Sequence, residues 1–139
     1  MKIILTLFLF LCLVSVGYGQ NKSLVKYVGK YPDTFFKREL QLKATLKRLL
    51  GRNYQNFINN FAVQGAIGFD DGFLTMTGCA SHWCGGRESI LVVSQNGKEL
   101  YCALLMEFFN KKFKIFTNNR SYIPSTFKNI IAIRERDIP

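Results

Sequence analysis

Asn96-Gly97 stands between two apolar runs, Ile90-Leu91-Val92-Val93 and Leu100-Tyr101-Cys102-Ala103-Leu104-Leu105. An Asn-Gly pair in that setting is the strongest short-range hairpin signal. A type I′ turn needs positive φ at both central residues, and these two residue types tolerate it. The pattern predicts antiparallel strands over Glu88–Gln95 and Glu99–Met106 joined by that turn. Phe73 to Thr77 alternates and reads as another strand. Lys112 to Thr117 reads as one more, with Phe113 and Ile115 inward and Lys112 and Lys114 outward. Gly65, Gly68 and Asp70-Asp71-Gly72 punctuate an extended stretch before them.

Helical spacing flanks the strands. Asp33 is the expected N-cap of an amphipathic helix over Phe35 to Leu50. Its stripe is Leu40, Leu42, Leu46, Leu49 and Leu50, with Lys43, Lys47 and Arg48 off it and Gly51 as its stop. Asn53 is the expected cap of a shorter helix through Asn60 that buries Phe57, Ile58 and Phe61. Pro124 fits the first turn of a final helix through about Arg134, with Phe127, Ile130 and Ile131 on one side. Arg134 and Arg136 suit its C-terminal end. The sum is an α+β fold: an antiparallel β-sheet meander with helices packed on one face.

Lys2 followed by the apolar run Ile3 to Val16, then Gly17-Tyr18-Gly19, has the layout of a secretory signal over residues 1–19. Bulky Leu11 before Cys12 argues against a lipoprotein site. Residues 20–139 are then expected to form a single exported domain, periplasmic or secreted, with no integral membrane association after cleavage. The 139-residue chain carries 19 Lys plus Arg against 9 Asp plus Glu, a formal +10. Loss of Lys2 leaves 18 against 9, or +9. Such a field attracts anionic envelope polymers, lipid headgroups or acidic proteins. No nucleic-acid module interleaves aromatic and basic residues here, so nucleic acid is not an expected partner.

Three cysteines remain beyond the signal. Export favours oxidation, and Cys79 and Cys84, five apart around a tight loop, are the natural pair. Cys102 lies in a buried-strand pattern and reads as a structural thiol. The segment Gly78-Cys79-Ala80-Ser81-His82-Trp83-Cys84-Gly85-Gly86 holds the only His and the only Trp in the chain. A disulfide across so short a ring contributes about 2 kcal/mol through unfolded-state entropy. Its larger effect is local: it holds His82 and Trp83 out in few conformations, so binding costs less ordering. Gly78, Gly85 and Gly86 are expected to turn the backbone on both sides.

Cys-x-x-His-x-Cys followed by Gly, between two strands and leading into a hairpin, resembles the loop of the inhibitor of vertebrate lysozyme (Ivy) family. The resemblance is specific over Thr77 to Gly85 and looser through Leu105. It implies an exported inhibitor with an α+β fold and a protruding disulfide-closed loop. The inhibitory loop would be Cys79, Ala80, Ser81, His82, Trp83 and Cys84, with Cys79–Cys84 as the disulfide. His82 would hydrogen-bond the catalytic carboxylates of a c-type lysozyme. Ala80-Ser81 stands where the pattern has a basic residue and Pro, and Trp83 where it has an acidic residue. The partner is expected to be a lysozyme or a lytic transglycosylase, and a homodimer stays open.

Other chemistries find less support. A Cys/His nucleophile needs a free thiolate beside a base, Cys102 has no second His, and no Ser-centred nucleophile elbow is present. Asp70-Asp71 and Glu88 form no recognisable catalytic set. The chain is therefore not expected to be an enzyme. Cys79, His82 and Cys84 supply three cramped ligands where a structural zinc wants four, so no metal or other cofactor is expected. The alternative is a basic envelope-associated module that binds peptidoglycan or another anionic polymer, its loop merely structural.

Overall fold

The computed structural model describes residues 23–106 and 112–137. The predicted signal segment lies outside the described residues. Helices α1 (Pro32–Arg38), α2 (Leu40–Leu50) and α3 (Tyr54–Asn59) precede strands β1 (Val63–Gln64), β2 (Gly68–Asp70), β3 (Phe73–Cys79), β4 (Glu88–Ser94), β5 (Leu100–Leu105) and β6 (Lys114–Thr117). Helix α4 (Ser125–Asp137) follows. The strands form one antiparallel sheet in which β3-β4-β5-β6 is a meander and both β1 and β2 pair with β3. The α+β class and the antiparallel sheet are as expected.

The helices do not share one face. Strands β4 and β5 are buried at every position, so both of their faces need apolar cover. Leu91, Val93, Leu100, Cys102 and Leu104 pack against Phe35, Leu46, Leu50 and Phe57 of α1 to α3. Ile90, Val92, Tyr101, Ala103 and Leu105 pack against Phe127, with Ile130 and Ile131 partly buried beside them, so α4 lies on the opposite face. The unbroken apolar runs already carried this signal, since a one-sided sheet alternates.

The long N-terminal helix is two. It breaks at Glu39 (φ −96°, ψ 68°). There the carboxylate accepts from the buried Tyr27 hydroxyl at 2.6 Å and lies 3.4 Å from Lys26 Nζ. Burial, then the bond to Glu39, pushes the Tyr27 hydroxyl up to about 12. Asp33 is not the N-cap. Pro32 takes the first helical position after Tyr31, which leaves Asp33 in the first turn with Lys37 at 3.3 Å. Leu42, Leu46 and Leu50 are buried, but Leu40 is 66 % exposed, because two residues of helix put it about 200° round from Leu42. Asn53 does not cap α3 through its side chain, which instead reaches back to the Leu50 carbonyl.

The two hairpin turns exchange roles. Asp71 (φ 48°) and Gly72 (φ 82°) both take positive φ, the type I′ pattern, between the β2–β3 partners Asp70 and Phe73. At Asn96-Gly97 only Gly97 does so (φ 75°), within a four-residue loop between Ser94 and Glu99. There Asn96 Oδ1 accepts from Ser94 Oγ at 2.7 Å and from the Lys98 N–H at 3.0 Å, which fixes the longer loop. Ile115 is not inward: it lies on edge strand β6 opposite Ala103 and is 48 % exposed, whereas Phe113 is buried. Pro124 directly precedes α4 and its carbonyl accepts from the Lys128 N–H.

Candidate functional site

The cysteine loop leaves the sheet where Cys79 of β3 pairs with Glu88 of β4. Gly78 does not turn the chain. It lies in β3, and a Cβ there would sit 2.8 Å from the Asn60 carbonyl oxygen and 2.7 Å from Phe61 Cδ1, so the position demands close approach. Gly85 does turn (φ 89°). Gly86 is buried and its N–H donates to the Trp83 carbonyl.

A disulfide joins Cys79 and Cys84, with Cα atoms 5.0 Å apart. Inside the ring the Trp83 N–H donates to the Ala80 carbonyl at 3.0 Å. That closes a four-residue turn with His82 third. His82 has φ 62° while Ser81 does not take positive φ, the sign pattern of a type II turn, whose third position favours Gly or Asn. A side chain there costs roughly 1–2 kcal/mol. The ring is also sealed at its neck: the Ala80 N–H donates to the Arg87 carbonyl, and the Trp83 carbonyl accepts from Arg87. The peptides of Ala80, Trp83 and Arg87 thus bond to one another, while the side chains of Ser81, His82 and Trp83 face solvent, Trp83 at 48 % exposure.

Residues outside the predicted set support the loop. Glu88, only 7 % exposed, accepts from the Gly85 N–H at 2.8 Å. Arg134 of α4 lies 3.9 Å from the same carboxylate and donates to Thr77 Oγ1. Arg87 lies over the Trp83 ring at 4.9 Å and limits its swing. A cavity of about 240 Å³, lined in part by Gln64, Thr77, Gly78, Glu88 and Arg134, opens beside the disulfide. The sequence signal for Glu88 was a lone carboxylate starting an otherwise apolar strand. Arg134 joins it only through tertiary structure.

The remaining candidates are dispersed. Cys102 is free and fully buried, and burial pushes its thiol well above the ordinary range, which keeps it inert. Asp70 accepts from the Thr126 hydroxyl at 2.6 Å and Asp71 sits in its turn. Cys79 and Cys84 are joined to each other, and among the described residues no group of three His, Cys, Asp or Glu side chains could hold a metal ion. No described helix is long and apolar enough to cross a membrane.

What the arrangement supplies is an imidazole on a stiff, narrow projection beside an indole. Neutral imidazole accepts at one nitrogen and donates at the other; charged, it donates at both. Comparison with known proteins adds one finding. The sequence model of the family described as "Inhibitor of vertebrate lysozyme (Ivy)" matches residues 41–135, a stretch that contains the whole loop, the sheet and most of α4. No curated protein and no solved structure matches the chain.

Proposed function

Because the chain belongs to the inhibitor of vertebrate lysozyme family, we propose that it blocks a lysozyme-type muramidase by inserting the Cys79–Cys84 ring, His82 foremost, into the catalytic cleft. The observation that carries this reading is an exposed histidine held at φ 62° in a covalently closed turn. Backbone strain of that kind persists where the surroundings over-determine it, and it concentrates at functional positions.

The chemistry fits the target class. A retaining muramidase has one protonated carboxyl and one ionised carboxylate close together. One imidazole accepts from the first and donates to the second. In a cleft emptied of water such charge-assisted bonds are among the strongest available. Trp83 beside it has the character of an interface anchor, large and rigid. The family is one of inhibitors, so the ring is read as a blocking element and the chain as no enzyme. Export, inferred from the Ile3–Val16 run and Gly17-Tyr18-Gly19, places the loop in the oxidising compartment that keeps it closed.

The test is inhibition by wild type and His82→Ala against a panel of c-type lysozymes and lytic transglycosylases. Loss of at least about 2 kcal/mol, roughly thirtyfold in inhibition constant, is the expected size for a hot spot. Equal potency removes His82 from the mechanism. Salt reports the partner's charge: a basic enzyme meets this basic chain faster as salt rises, an acidic one more slowly.

A further inference from the structure

We propose that the outward face of α2 is a second interaction surface, which binds a flexible polyanion carrying repeated phosphate or carboxylate groups and is separate from the cysteine ring. Between Leu40 and Phe69 the chain has no Asp or Glu, yet it carries Lys43, Lys47, Arg48 and Arg52. All four are exposed. In the sequence Lys43, Lys47 and Arg48 already stand off the apolar stripe of the expected helix. The helix gathers them. Leu42, Leu46 and Leu50 take one side into the core, and at 100° per residue Lys43, Lys47 and Arg48 fall off that stripe, along about 8 Å of axis, with Arg52 in the short turn Gly51–Asn53 just beyond the helix.

The ion pairs Lys26–Glu39, Lys37–Asp33 and Arg134–Glu88 involve none of these four cations. Arg48 reaches only the Thr45 hydroxyl, at 3.4 Å. Lys43 and Lys47 are a like-charge pair four residues apart on α2, and such a pair costs a few tenths of a kcal/mol on a helix. A strand of anions laid along the face turns that repulsion into attraction and releases the strand's counterions.

The face suits a polymer better than a bilayer. Interfacial helices keep an apolar face free to insert, whereas the apolar stripe of α2 is already in the core. No large apolar side chain between Gln41 and Ala62 is among the exposed ones. Leu40 alone, at the start of the helix, makes no insertion face. The surface also leaves the ring accessible. Leu42 and Thr45 border a cavity with Asn96 and Gly97, at the end of β4 remote from the cysteine loop, about 20 Å away along the strand. A chain tethered through α2 therefore still presents His82. The proposal does not rest on the inhibitory reading of the loop.

The test titrates the full oxidised chain with linear polyphosphate, with polygalacturonate and with phosphatidylglycerol/phosphatidylcholine vesicles, by calorimetry over a range of salt. The quadruple variant Lys43→Gln/Lys47→Gln/Arg48→Gln/Arg52→Gln is set against Lys112→Gln/Lys114→Gln/Arg120→Gln/Lys128→Gln, which removes the same charge elsewhere. Both variants must keep the wild-type melting transition. If either melts early, Lys47→Gln/Arg48→Gln and Lys114→Gln/Lys128→Gln replace them. The α2 variant is expected to bind the polymers at least about tenfold more weakly and to lose about 3 from the log–log salt slope, with the control near wild type. The ratio of the two polymers separates phosphate from carboxylate preference. Equal weakening in both variants reduces the effect to diffuse charge and overturns the proposal, as does tight vesicle binding without polymer binding.

Discussion

The two connections that leave opposite ends of β4 solve the same problem in opposite ways. At Ser94–Glu99 the side chains serve the backbone. Ser94 Oγ accepts from the Glu99 N–H, Asn96 Oδ1 accepts from Lys98, and Asn118 accepts from Leu100 and donates to Lys98. The Gln95 peptide is tied to Gly72 and Leu24 as well. At Cys79–Glu88 the backbone serves itself. A disulfide, peptide-to-peptide bonds and one buried carboxylate close the loop, and the side chains of Ser81, His82 and Trp83 are left facing outward. A connection whose side chains are used up is structural. One closed by its own peptides and a disulfide can offer its side chains to a partner.

That contrast can be broken at its root. Gly78→Ala forces a methyl group against the Asn60 carbonyl and Phe61 and is expected to cost about 2–3 kcal/mol in urea unfolding. Gly97→Ala, with its nearest neighbour Leu24 Cδ1 at 3.4 Å, carries mainly the left-handed backbone cost of about 1–2 kcal/mol. Equal costs would mean the ring is no more tightly seated than the turn. Opening the ring with Cys79→Ser/Cys84→Ser is expected to cost about 2 kcal/mol. Amide exchange should speed up at Ala80, Trp83 and Arg87 while Gly97 stays protected; uniform acceleration would contradict a local role.

Two smaller substitutions sharpen the comparison because they act in opposite senses. Asn96→Ala is expected to lower stability by about 1 kcal/mol through its lost hydrogen bonds, with inhibition unchanged. His82→Gly relieves the left-handed strain and is expected to raise stability by up to about 1 kcal/mol while abolishing potency. Chemical denaturation and an inhibition titration on the same preparations read both. A His82→Gly variant that is less stable than wild type would show that the imidazole supports the fold.

Much of the sheet could be read from residues alone. Runs such as Ile90 to Val93 declare a strand because water excludes them wherever they lie, and the Cys79–Cys84 spacing declares a ring. Turn geometry was less legible. Asn96-Gly97 and Asp71-Gly72 carry the same local preference, and neighbours decided which became type I′. The kink at Glu39 was invisible because it depends on a hydroxyl twelve residues away. Glu88 and Arg134, forty-six positions apart in the chain, meet only when α4 is laid over β3 and β4.

Short-range chemistry, set by residue type and spacing, settled by itself that this chain has an α+β antiparallel framework and carries its one histidine in a small cysteine ring. Tertiary structure alone decided which helices cover which side of the sheet, that a buried carboxylate braces the ring, and that His82 takes positive φ. Those outcomes depend on which surfaces remain to be buried once distant segments meet, and no local pattern encodes that.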